Sequence, residues 1–191
     1  TAFRAAYESQ VAGANVVVIG CGPIGLFAVA SAAMMGAASI IATDISSSRL
    51  DIALKMGAAT GLDSLSPALV QSVLDITGGY GADAIIDASG SVDALRQSFQ
   101  YLRKGGRLTL IGLPGRPIEL NLGTDVVFKE AKINGIHGRK MFETWTRMEN
   151  ALVSGKLAVS NAITHILPLA DWQKGIDLAK SGQACKVVFR H

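Results

Sequence analysis

The segment Gly20-Cys21-Gly22-Pro23-Ile24-Gly25 follows the apolar run Val16-Val17-Val18-Ile19, and Asp44 lies nineteen residues beyond Gly25. A buried strand, a glycine turn, an amphiphilic or apolar helix, a second strand and an acid in that order form the dinucleotide-binding fingerprint of a βαβ unit. A chain that carries it is committed to a parallel sheet with helices on its faces.

Each residue type has a physical reason. Gly20 permits the tight turn out of the strand, and Gly22 leaves room for the backbone to approach a pyrophosphate. Gly25 lets the helix pack closely on the sheet. Pro23 suits the first helical turn, where its missing N–H forfeits no hydrogen bond. Free amides and the positive dipole end of that helix then attract phosphates. Asp44 closes the run Ile40-Ile41-Ala42-Thr43 and sits at the tip of strand two. There it can accept from both ribose hydroxyls and repel a 2′-phosphate, which favours NAD over NADP. The alternative is a glycine turn with a purely structural role. It leaves the agreement of strand, helix and acid spacing unexplained.

The chain has 191 residues, enough for one good core with an appendage. Hydrophobic residues make up 49% and charged residues 17%, which excludes disorder. The net charge is +3, but the basic residues are scattered without interleaved aromatics, so a nucleic-acid partner is not expected. No apolar stretch reaches membrane-spanning length. The N-terminal residues read as a helix rather than a signal peptide, and Cys21 and Cys185 make no metal-ligand spacing. A cytoplasmic protein without a metal site of its own is the expectation. Cys21 reads as a small filler of the phosphate turn, not a reactive thiol.

Strand and helix alternate along the chain. The pattern predicts strands near 15–20, 38–43, 59–62, 83–88, 106–112 and 131–136. It predicts helices near 23–36, 46–56, 66–77, 91–102 and 141–154. Ser46 to Ser48 supply N-cap oxygens for the second of these, with Gly57 as its stop signal; Ser91 caps the helix that presents Leu95, Phe99 and Leu102 to the sheet. Near-continuous apolar strands such as Ala84-Ile85-Ile86 fit a sheet covered on both faces. The expected fold is α/β: a doubly wound Rossmann sheet of six parallel strands in the order 3-2-1-4-5-6, with a ligand at the switch point. Gly78-Gly79-Tyr80-Gly81 follows a helix and precedes a strand, so it reads as a turn and not a phosphate loop. The tail adds a strand at 163–167, a helix at 169–180 and a strand at 186–190. The division expected is a cofactor domain over 1–160 and a tail over 161–191.

These residues resemble the zinc-dependent medium-chain alcohol dehydrogenase superfamily. The resemblance rests on the Val17–Gly25 segment, Thr43-Asp44 followed by Arg49, Asp87-Ala88-Ser89-Gly90, Gly105-Gly106-Arg107, and Ser181-Gly182-Gln183 leading to Lys186-Val187-Val188. Within it, Gly138-Arg139-Lys140-Met141-Phe142-Glu143-Thr144-Trp145 looks most like the L-threonine 3-dehydrogenase family. The resemblance implies NAD as cofactor, and a catalytic zinc whose ligands lie in an N-terminal domain that this sequence lacks. No catalytic residue is therefore expected here, and the tail would return to that other domain. Residue by residue, it implies that Ile24 covers the adenosine–pyrophosphate region and that Arg49 joins Asp44 at the ribose. Ile111, Gly112 and Leu113 would meet the nicotinamide riboside, with Ile136 and His137 at the same end and Lys186 near the phosphates. It also implies a small alcohol or amino-acid substrate, and a homodimer or homotetramer formed through the sheet edge at 131–136. A polyol or butanediol dehydrogenase is the rival within the same chemistry. A non-catalytic NAD-sensing or assembly module is the rival outside it.

Overall fold

A computed structural model describes all 191 residues. The elements run α1 (Ala2–Glu8), β1 (Asn15–Ile19), α2 (Pro23–Met34), β2 (Ser39–Asp44), α3 (Ser47–Lys55), β3 (Thr60–Asp63), α4 (Leu69–Ile76), β4 (Ala82–Asp87), α5 (Val92–Tyr101), β5 (Leu102–Leu110), β6 (Lys132–Gly135), α6 (Glu143–Val153), β7 (Ile163–Pro168), α7 (Trp172–Lys180) and β8 (Lys186–Arg190). Six strands form one parallel sheet in the order β3-β2-β1-β4-β5-β6. The Rossmann order expected from the sequence is the order found.

The apolar strands are explained by what covers them. Along β1, Val16 and Val18 point into one hydrophobic cluster, while Val17 and Ile19 point into another. In β4, Ala84 and Ile86 join the first cluster and Ile85 the second. Successive strand side chains alternate between faces, so a strand buried on both sides must be apolar at every position. The first cluster includes α1 and α2. Helix α2 is buried nearly all round, with Leu26, Val29 and Ala32 at or near 0% exposure, because α1 covers the side that the sheet does not. The second cluster takes Leu69 and Val73 from α4 and Leu95 and Phe99 from α5. A buried hydrogen bond of 2.7 Å from the Ser9 hydroxyl to that of Thr109 ties the end of α1 to β5.

Several local expectations are corrected. Helix α5 ends at Tyr101, and Leu102 is already the first residue of β5; it is buried, but from the strand. The pairing of β4 with β5 jumps from Ala82↔Leu102 to Ala84↔Arg107, so Arg103–Gly106 bulges out of the ladder. The bulge is held by the Gly105 amide on the Lys129 carbonyl (2.6 Å) and the Lys129 ammonium on the Leu102 carbonyl (2.7 Å). Its polar sequence hides the start of the strand. Ser91 does cap α5, accepting from the Ala94 amide at 3.3 Å. Ser46 holds the N-cap position of α3, but its hydroxyl meets that of Ser48 instead of a helix amide. Gly57 ends α3 with φ +110°. A π-helical turn at Leu122–Val127 has no counterpart in the sequence reading.

The tail forms its own parallel pair, β7 with β8, under α7. Phe189 packs against Gly175 of α7, so β8 is half-buried on that side. The tail also touches the main body. Ala162 is fully buried in the first cluster, Cys185 packs against it, and the Asn161 amide donates to the Lys55 carbonyl at 3.3 Å.

Candidate cofactor cleft

The C-terminal ends of β1 to β4 open into a cleft of about 540 Å³ lined by Gly20, Gly22, Thr43, Asp44, Arg49 and Ser89 among others. It lies where the strand order reverses between β1 and β4, the position at which open α/β sheets bind ligands. A larger groove of about 780 Å³ runs between α5 and residues 119–129; it shares Asp93 and Gln97 with the cleft but includes no residue of β1 to β4. The smaller cleft is the candidate on grounds of topology.

The glycines divide by cause. Gly20 leaves β1 with φ +85°, and a Cβ there would lie 2.8 Å from that of Ser89. A Cβ on Gly25 would overlap the carbonyl oxygen of Gly20, so α2 packs on the turn only because that atom is missing. Around Gly22 there is nothing within 4 Å of such an atom, and its φ is an ordinary −64°. Packing therefore explains Gly25 but not Gly22. Open space over Gly22, at the N-terminus of α2, is the cradle a phosphate would fill.

Asp44 is 6% exposed and already works inside the protein. Its Oδ2 accepts from the Cys21 amide at 2.6 Å, and its Oδ1 accepts from the Ser46 amide at 2.9 Å. It thereby pins the phosphate turn to the end of β2. Each carboxylate oxygen keeps a further acceptor site for a ribose hydroxyl. The Arg49 guanidinium stands 3.9 Å from Oδ1, while its Nε is buried without a partner. Beside Asp44, the Thr43 hydroxyl is also buried without a partner. Orphaned buried polar atoms are rare in native proteins and point to a missing group. Ile45 and Leu65, 70% and 75% exposed, flank the same mouth. An open phosphate cradle, an acid with spare acceptor sites, an orphaned hydroxyl and apolar walls fit an NAD molecule lying across the strand ends. Thr43, Ile45 and Leu65 escape a sequence reading because nothing in residue type shows that a hydroxyl is orphaned or an apolar side chain exposed.

Other expected site residues fall elsewhere. Ile24 shares one side of α2 with Phe27 and Ser31, at helical spacing. All three line a separate apolar recess of about 250 Å³ with Met148 and Leu152. Ile111, Gly112 and Leu113 lie beyond the end of β5; the first two donate their amides to the Asp87 carbonyl at 2.9 Å, and Leu113 is 85% exposed. Their amides are therefore not free for a carboxamide, except that of Leu113. Ile136 is buried in the first core cluster, which accounts for its apolar character without a ligand. His137 is exposed, and its carbonyl accepts from Arg4 at 3.5 Å. Lys186 opens β8 and does not line the cleft.

Cys21 sits in the phosphate turn but is 0% exposed. Burial first, and the Asp44 charge second, push its thiol up to about 12. The Arg49 charge pulls the other way but does not prevail. Burial, and then Asp87, also push the Tyr101 phenol up. Groups raised in the folded state contribute stability that is intact below their unfolded values and lost as pH rises towards the folded ones. Stability should therefore fall from about pH 9 upward, each released proton steepening the slope by about 1.4 kcal/mol per pH unit. Urea melts between pH 7 and 10.5 check this, and a flat profile would contradict it. A thiol reagent at pH 8 should label Cys185, half-buried, well before Cys21.

Among these side chains no group of three or more His, Cys, Asp or Glu gathers to hold a metal ion. The residues present do not fit a zinc site. No helix is long and apolar enough to cross a membrane.

Comparison with known proteins agrees with this geometry. A family model described as zinc-binding dehydrogenase matches residues 23–154. An L-threonine 3-dehydrogenase of Bacillus licheniformis is 41% identical over 188 residues, 98% of this chain and 54% of that protein. One from Bacillus velezensis is 43% identical over 182 residues, 95% of this chain and 52% of that protein. The chain thus spans about half the length of the curated relatives it matches. The alcohol dehydrogenase from Thermus sp. ATN1 superposes with a TM-score of 0.89 at 27% identity, over 100% of this chain and 55% of that one. The 2R,3R-butanediol dehydrogenase from Bacillus subtilis gives 0.89 at 26%, over 100% and 55%. With a family model spanning α2 to α6, and a sheet and glycine turn of the matching kind, the chain belongs to the zinc-binding dehydrogenase family.

Proposed function

We propose that this chain is the NAD-binding part of a zinc-dependent oxidoreductase that moves a hydride from a secondary alcohol to NAD, with L-threonine as substrate and 2-amino-3-oxobutanoate as product. The observation that carries the cofactor is the cleft itself: open space over Gly22 beside the pinned carboxylate of Asp44 and the orphaned Thr43 hydroxyl. The names of the two Bacillus relatives, at 41% and 43% identity, support threonine over the butanediol reading, whose structural relative stands at 26%.

NAD, when bound, supplies the acceptor for the hydride. The chain's own share is positional. Amides at the start of α2 bind the pyrophosphate, Asp44 binds the adenosine ribose with Arg49 beside it, and the loop Ile111–Leu113 orients the nicotinamide end. The divided assignment, 1–160 for the cofactor and 161–191 for return to a catalytic domain, belongs to the same proposal. Titration of the chain with NAD and NADP tests the cofactor; NADP binding as tight as NAD would refute it. Assay of the intact gene product with L-threonine, sorbitol and 2,3-butanediol tests the substrate. A protein that binds NAD but oxidises none of the three would favour a sensing or assembly role.

The edge strand β6 extends the proposal to assembly. Only β5 pairs with it, and Ile133 on its outer stretch is 42% exposed. An unpaired edge invites a two-fold copy to continue the sheet. Sedimentation should show a dimer or tetramer at micromolar concentration, and Ile133→Pro should dissociate it. A monomer throughout would overturn this reading.

A further inference from the structure

Thr43, next to last in β2, is 1% exposed and lines the cleft, and its hydroxyl has no hydrogen-bond partner. Its carbonyl accepts from the Gly20 amide at 2.8 Å, which ties its backbone to the phosphate turn. Nothing inside the protein uses the hydroxyl. Ile40, Ile41 and Ala42, the buried residues before it, are all apolar. Valine has the same shape as threonine, and at a buried position without a partner the apolar side chain is the more stable choice. A hydroxyl kept here against that preference calls for a reason outside the free chain.

The two faces of β2 offer different chemistry. Ile40 and Ala42 point into the first cluster and Ile41 into the second. By alternation Asp44 turns to the side of α2 and α3, where Cys21, Ser46 and Arg49 surround it. Thr43 turns to the side of α4 and α5. There α5 and its cap contribute Ser91, Asp93, Ala94 and Gln97 to the cleft wall. The one charged residue among these is an acid, so the wall carries no cation for a phosphate. Exposed Ile45 and Leu65 add apolar surface at the mouth. A neutral ring with apolar faces and acceptor nitrogens at its edge suits this side, and adenine is such a ring. We propose that the Thr43 hydroxyl is kept unpaired for the cofactor and donates to a ring nitrogen of its adenine, while Asp44, on the other face of the same strand, takes the ribose. This rests on the NAD reading above. The hydroxyl then destabilises the free chain and is satisfied only when the base is bound.

The experiment pairs thermal melts with calorimetric titration of NAD and of ADP-ribose, which keeps the adenosine half and lacks the nicotinamide. Thr43→Val should melt at the same temperature as the unmutated chain or up to about 4 °C above it. It should bind both ligands about threefold to tenfold more weakly. Thr43→Ser keeps the hydroxyl and should bind both within about twofold of the unmutated chain. A melting temperature for Thr43→Val more than about 2 °C lower, or failure to fold, would show that the hydroxyl already has a partner in the free chain, a fixed water included, and would overturn the inference. Unchanged affinity in Thr43→Val would overturn it, as would an equal loss in Thr43→Ser or a loss for NAD alone. Each of these would leave the cofactor reading standing. Failure of the unmutated chain to bind either ligand would remove that reading and this inference with it.

Discussion

Gly25→Ala should melt about 6–12 °C below the unmutated protein, while Gly22→Val should melt within a degree or two of it and lose at least about tenfold in NAD affinity. The two glycines sit three residues apart in one motif, yet the atoms around them differ. A methyl group on Gly25 would overlap the Gly20 carbonyl oxygen, which is backbone and cannot rotate away. Either α2 lifts from the turn or the turn leaves β1. Overpacking against a fixed partner belongs at the upper end of the usual range, about 3 kcal/mol. At Gly22 there is room, φ is −64° and ψ is −179°, a conformation that valine accepts and that the following Pro23 favours. The side chain would occupy the phosphate cradle and nothing else. Thermal melts of both variants, with an NAD titration of the second, are the check. Full affinity in folded Gly22→Val would show that the turn is structural only.

Asp44→Ala should lose both stability and cofactor. The Cys21 amide is buried, and the Asp44 carboxylate is its acceptor at 2.6 Å. Losing that partner and the bond to the Ser46 amide should cost about 2 kcal/mol, or roughly 4–8 °C. Losing the ribose acceptor should weaken NAD by about 1–3 kcal/mol, roughly fivefold to 150-fold. NADP, whose 2′-phosphate the carboxylate repels, should be unaffected or bind better. Asp44→Asn retains one acceptor oxygen for one of the two amides and turns its NH2 towards the other, so it should recover at most about half of the stability and none of the preference for NAD. A variant that loses affinity for NAD and NADP alike would show that Asp44 acts only by holding the turn.

The pairing of structure and binding at Asp44 illustrates how far residue type carries. From Gly20, Gly22, Gly25 and Asp44, the order of strands, the switch point and the acid at the strand tip all follow, because a βαβ unit closes in one handedness and its turn demands glycines at fixed offsets. The apolar runs of β1 and β4 follow too, since a strand covered on both faces has no polar position. These are local rules, and neighbours in sequence are enough to apply them.

Other features depend on atoms brought together from distant parts of the chain. Leu102 reads as helix because Leu95 and Phe99 precede it at helical spacing, yet the Lys129 ammonium and the Gly105 amide stitch a bulge that starts β5 there. The resemblance implies that Ile24 covers the cofactor; that it also lines a recess with Met148 and Leu152 depends on its direction on α2 and on a helix more than a hundred residues away. The tail's bond to the main body through Asn161, the orphaned hydroxyl of Thr43 and the cation-free burial of Asp87 are likewise products of long-range packing. What the sequence by itself determined was the sheet, its turn and the strand ends at which the candidate cleft opens, since these obey spacing. Only the tertiary structure decided which candidate side chains face the cleft and which buried groups lack partners, because exposure and satisfaction depend on contacts that spacing does not encode.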